Sequence, residues 1–311
     1  MNKIPVNIIT GFLGAGKTTA IINLLRQKTS DEQWAIIINE FGKISIDSQT
    51  LQSSSVAGNV YDISGGCICC SAKGYFHENL TEIINTGNYS RIIIEPSGLG
   101  GVDMVSEIVE SNNQLILMPK ICLVDIQLMK NERIQRLPIY RNQITKSEII
   151  IFSKSDLVNN KQEEQDLIDK FNEFYPNKNI LEYELMSMLL NCYVQQESAK
   201  HNYRLLSSEK NNLEDSNYQK KMLNFDTTFV FDAHKLAKIL CKYPEILRAK
   251  GHIITENNNW VLINYTLSNC HFEQCDSKEH NEIVIITEMA DEDFFQRLEV
   301  EIKLATLSNI N

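Results

Sequence analysis

Gly11-Phe-Leu-Gly-Ala-Gly-Lys-Thr18 matches the pattern G-x-x-x-x-G-K-[S/T] and predicts a loop that binds phosphate. The residues before it, Ile4–Thr10, form a short apolar run with strand character. The residues after it, Thr18–Gln27, have apolar side chains at helical spacing. Glycines let backbone N–H groups face a phosphate, and the N-terminus of the helix adds partial positive charge. Since strand, loop and helix agree, we expect a nucleoside triphosphate here rather than a chance glycine-rich turn.

The residues of this loop have distinct expected roles. The Lys17 ammonium would reach the β- and γ-phosphates and act in catalysis, and the Thr18 hydroxyl would bind Mg²⁺. Contacts to the nucleotide are expected from Gly11, Gly14, Ala15, Gly16, Lys17, Thr18 and Thr19.

The composition is that of an ordinary globular protein. With 311 residues the chain can form one large domain or two modest ones. The net charge of −10 argues against non-specific binding to nucleic acid or to an anionic membrane. The first apolar run is only a strand long, so we expect neither a secretory signal nor a membrane span. These features predict a cytoplasmic protein.

Strands and helices alternate in the first part of the chain, which predicts an α/β fold with a mostly parallel sheet and helices on both faces. The strand-like runs are Ile4–Thr10, Trp34–Asn39, Asn59–Ile63, Arg91–Glu95, Lys120–Asp125 and Glu148–Ser153. The helical patterns are Thr18–Gln27, Tyr75–Asn85, Val102–Val109, Ile134–Gln143 and Gln162–Phe174.

The periodicity fails in a polar stretch before the last third of the chain. Residues 195–222 therefore read as a linker between a domain over 1–194 and a small α+β domain over 223–311. In the second domain, strands are expected at Thr227–Phe231, His252–Thr255, Trp260–Tyr265 and Ile283–Thr287, and helices at Ala233–Lys242 and Asp291–Leu304.

Ser153-Lys-Ser-Asp156 follows the sixth strand and predicts the site for the base. The Asp156 carboxylate can accept hydrogen bonds from N1 and N2 of guanine, a pair of donors that adenine lacks. The Lys154 stem would lie along the base. Ser153 stands where Asn is common, and a plain helix cap is the alternative interpretation. The pattern favours GTP over ATP.

Ile92-Ile-Ile-Glu95-Pro-Ser-Gly98 is an apolar strand that ends in a carboxylate. Glu95 is expected to support Mg²⁺ and to act in catalysis, and Gly98 to approach the γ-phosphate as a hinge. Asn39-Glu-Phe-Gly42 follows the second strand, where Glu40 could serve a metal site. Asp47, further along, could serve Mg²⁺ or the attacking water, or be a solvated carboxylate of the loop.

Cys67, Cys69 and Cys70 form a cluster after two glycines. Cys67 and Cys70 have the spacing that wraps a turn around one tetrahedral ion, and Cys69 adds a third thiolate. Thiolates select zinc or another soft to borderline ion, and three of them leave a position for a fourth ligand. The same spacing occurs in thiol–disulfide pairs. The third cysteine favours the metal.

These motifs together resemble the CobW-type family of P-loop GTPases, which includes zinc-transferring metallochaperones. The motifs that match, in chain order, are Gly11–Thr19, Asn39–Gly42, Gly66–Cys70, Glu95–Gly98, Gln143 before the Ser153–Asp156 strand end, and Arg248–Gly251. The resemblance implies a P-loop GTPase domain. It also implies that Cys67, Cys69 and Cys70 bind a transition metal, whose delivery to a client metalloprotein GTP would control. We expect slow intrinsic turnover, because the switch regions contain no obvious arginine finger or strong base.

Two features depart from the family pattern. Lys43 replaces a common acidic residue, and the linker contains only His201 where many members have a His-rich stretch. Alternative functions remain: insertion of cobalt, nickel or iron into a corrinoid or nitrile-hydratase-type enzyme, a thiol-redox switch, and a small-molecule kinase that uses ATP.

The cysteines outside the cluster have simpler interpretations. Cys122, Cys192 and Cys241 lie in apolar surroundings and are expected in the core. Cys270, His271, Cys275 and His280 have a loose spacing, so a hairpin or loop is favoured over a second metal site.

Overall fold

The computed structural model divides the chain into two compact units, Met1–Leu213 and Glu214–Asn311. It describes residues 3–38, 59–63, 70–96, 101–183, 186, 218–256, 259–267, 269–288 and 290–307. Within these residues no helix is both long enough and apolar enough to cross a bilayer.

The first unit contains a sheet in which every described pairing of strands is parallel, as predicted. Its strands run in the order β3-β2-β4-β1-β6-β7-β8, and β5 also pairs with β1. The strands are Ile4–Gly11 (β1), Trp34–Ile38 (β2), Asn59–Asp62 (β3), Arg91–Glu95 (β4), Leu115–Leu117 (β5), Ile121–Asp125 (β6), Ile149–Ser153 (β7) and Asn179–Leu181 (β8).

Helices connect these strands. They are Lys17–Gln27 (α1), Cys70–Thr86 (α2), Val102–Ser111 (α3), Glu132–Arg136 (α4), Pro138–Thr145 (α5) and Lys161–Phe174 (α6). Two short 3₁₀ segments, Ile126–Lys130 and Ser155–Leu157, directly follow β6 and β7.

The helices cover both faces of the sheet. Successive side chains of a strand point to opposite faces, so each central strand contributes apolar residues to both. On one face, Ile8 of β1 packs in a cluster with Leu80 of α2 and Val105 of α3. On the opposite face, Ile9 packs in a cluster with Ile21 of α1. Side chains on both faces of the central strands are buried, which explains their continuous apolar sequences.

The helix predicted over Ile134–Gln143 is wrong as a single helix. The structure has α4 and α5 instead, separated at Leu137, whose backbone is extended. Pro138 is the first residue of α5, where its missing N–H costs nothing. A residue that precedes proline avoids the helical region, so the proline ends one helix and begins another.

The described residues of the second unit form an antiparallel sheet and two helices, which confirms the predicted α+β class. Its strands are Tyr218–Phe225 (β9), Ile246–Thr255 (β10), Asn259–Thr266 (β11), Asn269–Gln274 (β12) and Asn281–Glu288 (β13), in the order β12-β11-β10-β13-β9. The helices are Ala233–Lys242 (α7) and Glu292–Leu304 (α8).

Two predictions at the start of this unit are wrong. Residues Tyr218–Met222, assigned to the linker, are the first part of β9. Thr227–Phe231 is not a strand, and only Phe231 forms isolated bridges, to Thr255 and Thr306. The sequence of β9 gives a weak strand signal, because half of its side chains are polar; among the described strands β9 pairs only with β13. The remaining domain boundaries stay predictions.

Asp291 is the N-cap of α8, as the sequence predicts. Its Oδ1 accepts a hydrogen bond from the backbone N–H of Phe294 at 2.8 Å. The helix then buries the apolar face that the spacing indicates, consisting of Phe294, Phe295, Leu298 and Ile302. The cap therefore positions the helix that covers the core of this unit.

Replacing Asp291 by alanine should lower the free energy of unfolding of the second unit by about 1 kcal/mol, because a backbone donor loses its partner. Urea unfolding followed by Trp260 fluorescence, in a Trp34→Phe background, measures this unit alone. Asp293→Ala is the matched control, since Asp293 is an exposed carboxylate of the same turn. Equal losses in the two variants would contradict the capping role.

Candidate nucleotide-binding site

Four strand ends in the first unit bear the polar groups of the candidate site. Gly11 ends β1, Glu95 ends β4, Asp125 ends β6 and Ser153 ends β7. These strands are parallel neighbours, so their carboxyl ends meet at one edge of the sheet. In open α/β sheets this edge is where ligands bind.

The predicted phosphate loop joins the end of β1 to the start of α1. Gly11, Gly14 and Gly16 have φ angles of 149°, 79° and 85°, which favour glycine. Gly16 is the N-cap of α1, and no side chain caps the helix there. The first N–H groups of α1 therefore remain for another acceptor, and their positive partial charge suits an anion.

Lys17, Thr18 and Glu95 lie together beside this loop. The buried Lys17 Nζ donates to the carbonyl oxygen of Gly11 at 3.0 Å and lies 3.8 Å from Glu95 Oε1. Thr18 Oγ1 donates to Glu95 Oε2 at 3.4 Å. A hydroxyl and a carboxylate are hard oxygen donors that suit Mg²⁺, and the ammonium suits a phosphate.

A cavity of about 650 Å³ opens beside the loop. Gly16 and Thr19 line one side, and Ser153, Lys154 and Asp156 line another. Ser153 is buried, and its Oγ makes no hydrogen bond to any described residue. Buried polar atoms are normally paired, so this hydroxyl fits a polar ligand atom in the cavity. The predicted base residues therefore share one cavity with the phosphate loop.

Asp125 is a residue of this edge that the sequence analysis missed. Its Oδ2 accepts a hydrogen bond from Lys154 Nζ at 2.6 Å, and its carboxylate is buried. A sequence signal did exist, because Ile121–Asp125 is an apolar run that ends in a carboxylate, like Ile92–Glu95.

The end of β2 lies between two other strand ends. Ile38 is the register partner of Asp62 in β3 and of Glu95 in β4. The N–H of Ile63 also donates to the carbonyl oxygen of Ile38 at 3.0 Å. Glu40 follows β2 by two residues, and Cys67 follows Ile63 by four. The two segments with predicted metal ligands thus leave the sheet from hydrogen-bonded neighbours.

Several predicted site residues lie outside the described part of the structure. They are Glu40, Asp47, Cys67, Cys69 and Gly98. Cys70 is described only as the first residue of α2. The transition-metal ligands and the catalytic role of Asp47 stay predictions.

The second group of cysteine and histidine residues lies in a hairpin strand and the loop after it, as favoured from the sequence: Cys270 and His271 are in β12, and Cys275 and His280 follow it. Cys270 pairs with Tyr265 across β11 and β12 and packs against the core, whereas the adjacent His271 is exposed. Burial raises the pKa of Cys270 to about 11, which keeps it a thiol. Among the described residues, no group of three or more His, Cys, Asp or Glu could hold a metal.

Of the isolated cysteines, Cys122 is buried in the core as predicted, and burial raises the pKa of its thiol to about 12. The prediction for Cys241 is wrong, because this residue is exposed on α7. Leu236 and Leu240 supply the buried face of that helix instead. Cys192 lies outside the described residues.

Comparison with known proteins identifies the family. Residues 5–182 match the family described as CobW/HypB/UreG, nucleotide-binding domain. The chain belongs to the CobW/HypB/UreG family. The matched residues begin in β1 and extend past β8, so the family's nucleotide-binding domain contains the loop, the cavity and the strand ends described above.

Similar proteins include two zinc chaperones of Escherichia coli. YeiR is 35% identical over 153 residues, which cover 48% of this chain and 46% of that protein. YjiA is 29% identical over 181 residues, which cover 55% and 56%. The chain thus spans about half the length of the curated relatives it matches. A crystal structure of Zn(II)-bound YjiA GTPase from E. coli aligns over 97% of this chain and 99% of that one, with 19% identity and a TM-score of 0.43.

Two glycines of the CobW-type loop should respond differently to alanine. A Cβ at Gly16 would meet nothing within 4 Å, so Gly16→Ala should cost about 1 kcal/mol of unfolding free energy for its left-handed backbone. A Cβ at Gly11 would overlap the backbone carbonyl of Leu123, so Gly11→Ala should cost about 3 kcal/mol or more. Urea unfolding followed by Trp34 fluorescence, in a Trp260→Phe background, measures both.

Gly74→Ala is the control for these two variants, because Gly74 is an exposed helical residue with open space at its Cβ position. It should raise stability slightly. If Gly11→Ala and Gly16→Ala are equally destabilised, the packing of Gly11 against β6 does not constrain the loop.

Proposed function

We propose that this chain is a GTP-hydrolysing metallochaperone that binds zinc and delivers it to a client metalloprotein under nucleotide control. Its family, and its similarity to two proteins named as zinc chaperones, support this assignment. The observation that carries the proposal is the position of Ile38 at the end of β2. On one side β2 pairs with β3, which precedes the cysteine cluster, and on the other it pairs with β4, which ends in Glu95.

GTP is the nucleotide that fits the base residues. Asp156 is exposed at the wall of the cavity, where its carboxylate can accept hydrogen bonds from N1 and N2 of guanine. The unpartnered hydroxyl of Ser153 would meet another polar atom of the base. Lys154 lines the same cavity, so its alkyl stem can cover the ring.

Mg²⁺ fits Thr18 and Glu95, whose side-chain oxygens already lie together. The bound ion would neutralise charge on the phosphates. Lys17 holds a positive charge inside the loop and would do the same from the other side, since its ammonium lies at the carbonyl of Gly11. These residues position and neutralise a triphosphate, which is most of what phosphoryl transfer requires.

Zinc is the proposed cargo of the cysteine cluster. Cys67, Cys69 and Cys70 would supply three thiolates, and the fourth position would be open to exchange among the Glu40 carboxylate, water and a group from the client. An incompletely closed site suits transfer, because a ligand from the client can enter the coordination shell. A buried structural site would use four ligands from one chain.

Coupling between the two sites would pass through the segments after β2, β3 and β4. Asp47 would orient the attacking water, and Gly98 would act as the hinge near the γ-phosphate. Ordering of these segments by GTP would tighten the thiolate site, and hydrolysis would loosen it. We expect slow intrinsic turnover, since the described residues at this edge include no arginine aimed at the phosphate loop.

Asp156→Asn should shift the preferred nucleotide from GTP to XTP, because an amide donor replaces an acceptor and xanthine has an oxygen at C2. GTP affinity should fall at least about tenfold, and XTP affinity should rise. Equilibrium binding of GTP, XTP and ATP measures the change. Asp166→Asn, at an exposed position on α6, is the control.

A wild-type chain that binds ATP as tightly as GTP would contradict guanine recognition. Phosphate transfer from ATP to a small acceptor, in place of phosphate release, would replace the proposal with the small-molecule kinase.

Cys67→Ser should abolish tight zinc binding, measured by competition with a chromophoric chelator in the presence of Mg²⁺ and a non-hydrolysable GTP analogue. The loss should exceed the roughly 10- to 100-fold effect of changes outside the ligand set, because a metal–sulfur bond disappears. Cys241→Ser is the matched control, since Cys241 is an exposed cysteine outside the cluster. If the chain bound cobalt or nickel more tightly than zinc, that metal would replace zinc as the proposed cargo.

Thiol counting after mild oxidant separates the redox alternative. Protection of the cluster by zinc is the expected result. A disulfide that forms equally with and without zinc would contradict metal binding as the role of these cysteines.

A further inference from the structure

Lys154 has a backbone conformation that lysine rarely adopts. Its φ and ψ angles are 60° and 29°, in the left-handed region. Among the described residues, the only other non-glycine with positive φ is Asn177, and asparagine tolerates this region far better than lysine does. Such a conformation is strained for lysine and persists only where the surroundings enforce it.

Asp125 supplies that constraint from the neighbouring strand. Ser153, which precedes Lys154, is the register partner of Asp125. The Asp125 side chain is 3% exposed, and its Oδ2 accepts from Lys154 Nζ at 2.6 Å. Its Oδ1 accepts from the backbone N–H of Gln127 at 3.0 Å. The backbone bond orients the carboxylate, and the carboxylate in turn fixes the far end of Lys154.

The 3₁₀ segment after Asp125, Ile126–Lys130, also contacts the base loop, by which we mean Ser153–Leu157, and the helix that follows it. Gln127 Nε2 donates to the carbonyl oxygen of Leu157 at 3.0 Å. Lys130 Nζ lies 2.7 Å from Glu163 Oε1 of α6. The base loop therefore rests on the segment that Asp125 caps.

We propose that Asp125 is a positioning residue for nucleotide binding: it anchors the Lys154 ammonium so that the alkyl stem forms a wall of the base cavity. This inference rests on the proposed function, because it takes the cavity to be the guanine site. Lys154 lines that cavity between Ser153 and Asp156, and its side chain is about one-third exposed. A lysine fixed at both ends offers a flat apolar stem without a further loss of side-chain entropy on binding.

A double-mutant cycle tests this role: wild type, Asp125→Asn, Lys154→Met and the double variant, with affinities for GTP and ITP. Asparagine keeps an oxygen for the N–H of Gln127 and removes the charge that holds Lys154. Asp125→Asn should weaken GTP binding about tenfold, the scale of one charge-assisted hydrogen bond. The double variant should bind GTP no more weakly than Lys154→Met alone.

ITP lacks the N2 amino group that Asp156 would bind, but it presents the same ring face to Lys154. Asp125→Asn should therefore weaken ITP and GTP binding by the same factor. Lys120→Met is the control, because it removes an ion pair with Glu148 at the opposite ends of β6 and β7 without touching Lys154. It should leave both affinities unchanged. Urea unfolding of each variant separates a loss of folding from a loss of positioning.

Two results overturn the inference while the proposed function stands: GTP binding unchanged in Asp125→Asn, or losses that add in the double variant. A wild-type chain that binds no GTP overturns the proposed function and the inference with it.

Discussion

Parallel pairing of β1 with β4 and β6 is the constraint on which the site depends. It brings the phosphate loop, Glu95 and Asp125 to one edge, although they are far apart in the chain. The close approach of Gly11 to the backbone of Leu123 ties the loop to β6. The N-terminus of α1 and the buried Lys17 then place positive charge at the phosphate loop, which suits a triphosphate.

Strand β2 connects this edge of the sheet to the segments with predicted metal ligands. Its end at Ile38 is paired with Asp62 on one side and Glu95 on the other. A movement of Glu95 on nucleotide binding or hydrolysis would therefore reach the start of the cysteine segment by passing from β4 through β2 to β3. Packed sheets transmit such shifts because their strands are close-packed and stiff. This arrangement gives the proposed gating a short physical path, in which each step is a backbone hydrogen bond.

Most of the first unit could be predicted from sequence, because its strands are apolar on both faces and its loop motif has one geometry. Ile92–Glu95 is a clear example. The edge strand β9 could not be predicted, since its polar residues resemble a linker. The pair between Asp125 and Lys154 also could not, because it depends on the adjacency of β6 and β7 and on the left-handed backbone of Lys154. Spacing along the chain contains neither fact.

Nucleotide control of zinc affinity is the central claim, and one measurement tests it directly. Zinc affinity is measured on the wild-type chain with Mg²⁺ and a non-hydrolysable GTP analogue, and again with Mg-GDP. The account predicts tighter binding with the GTP analogue, by about 5- to 150-fold, the usual range of coupling between two sites. Linkage requires zinc to raise affinity for the analogue by the same factor. Equal zinc affinities in the two nucleotide states would contradict gating, however tightly either ligand binds.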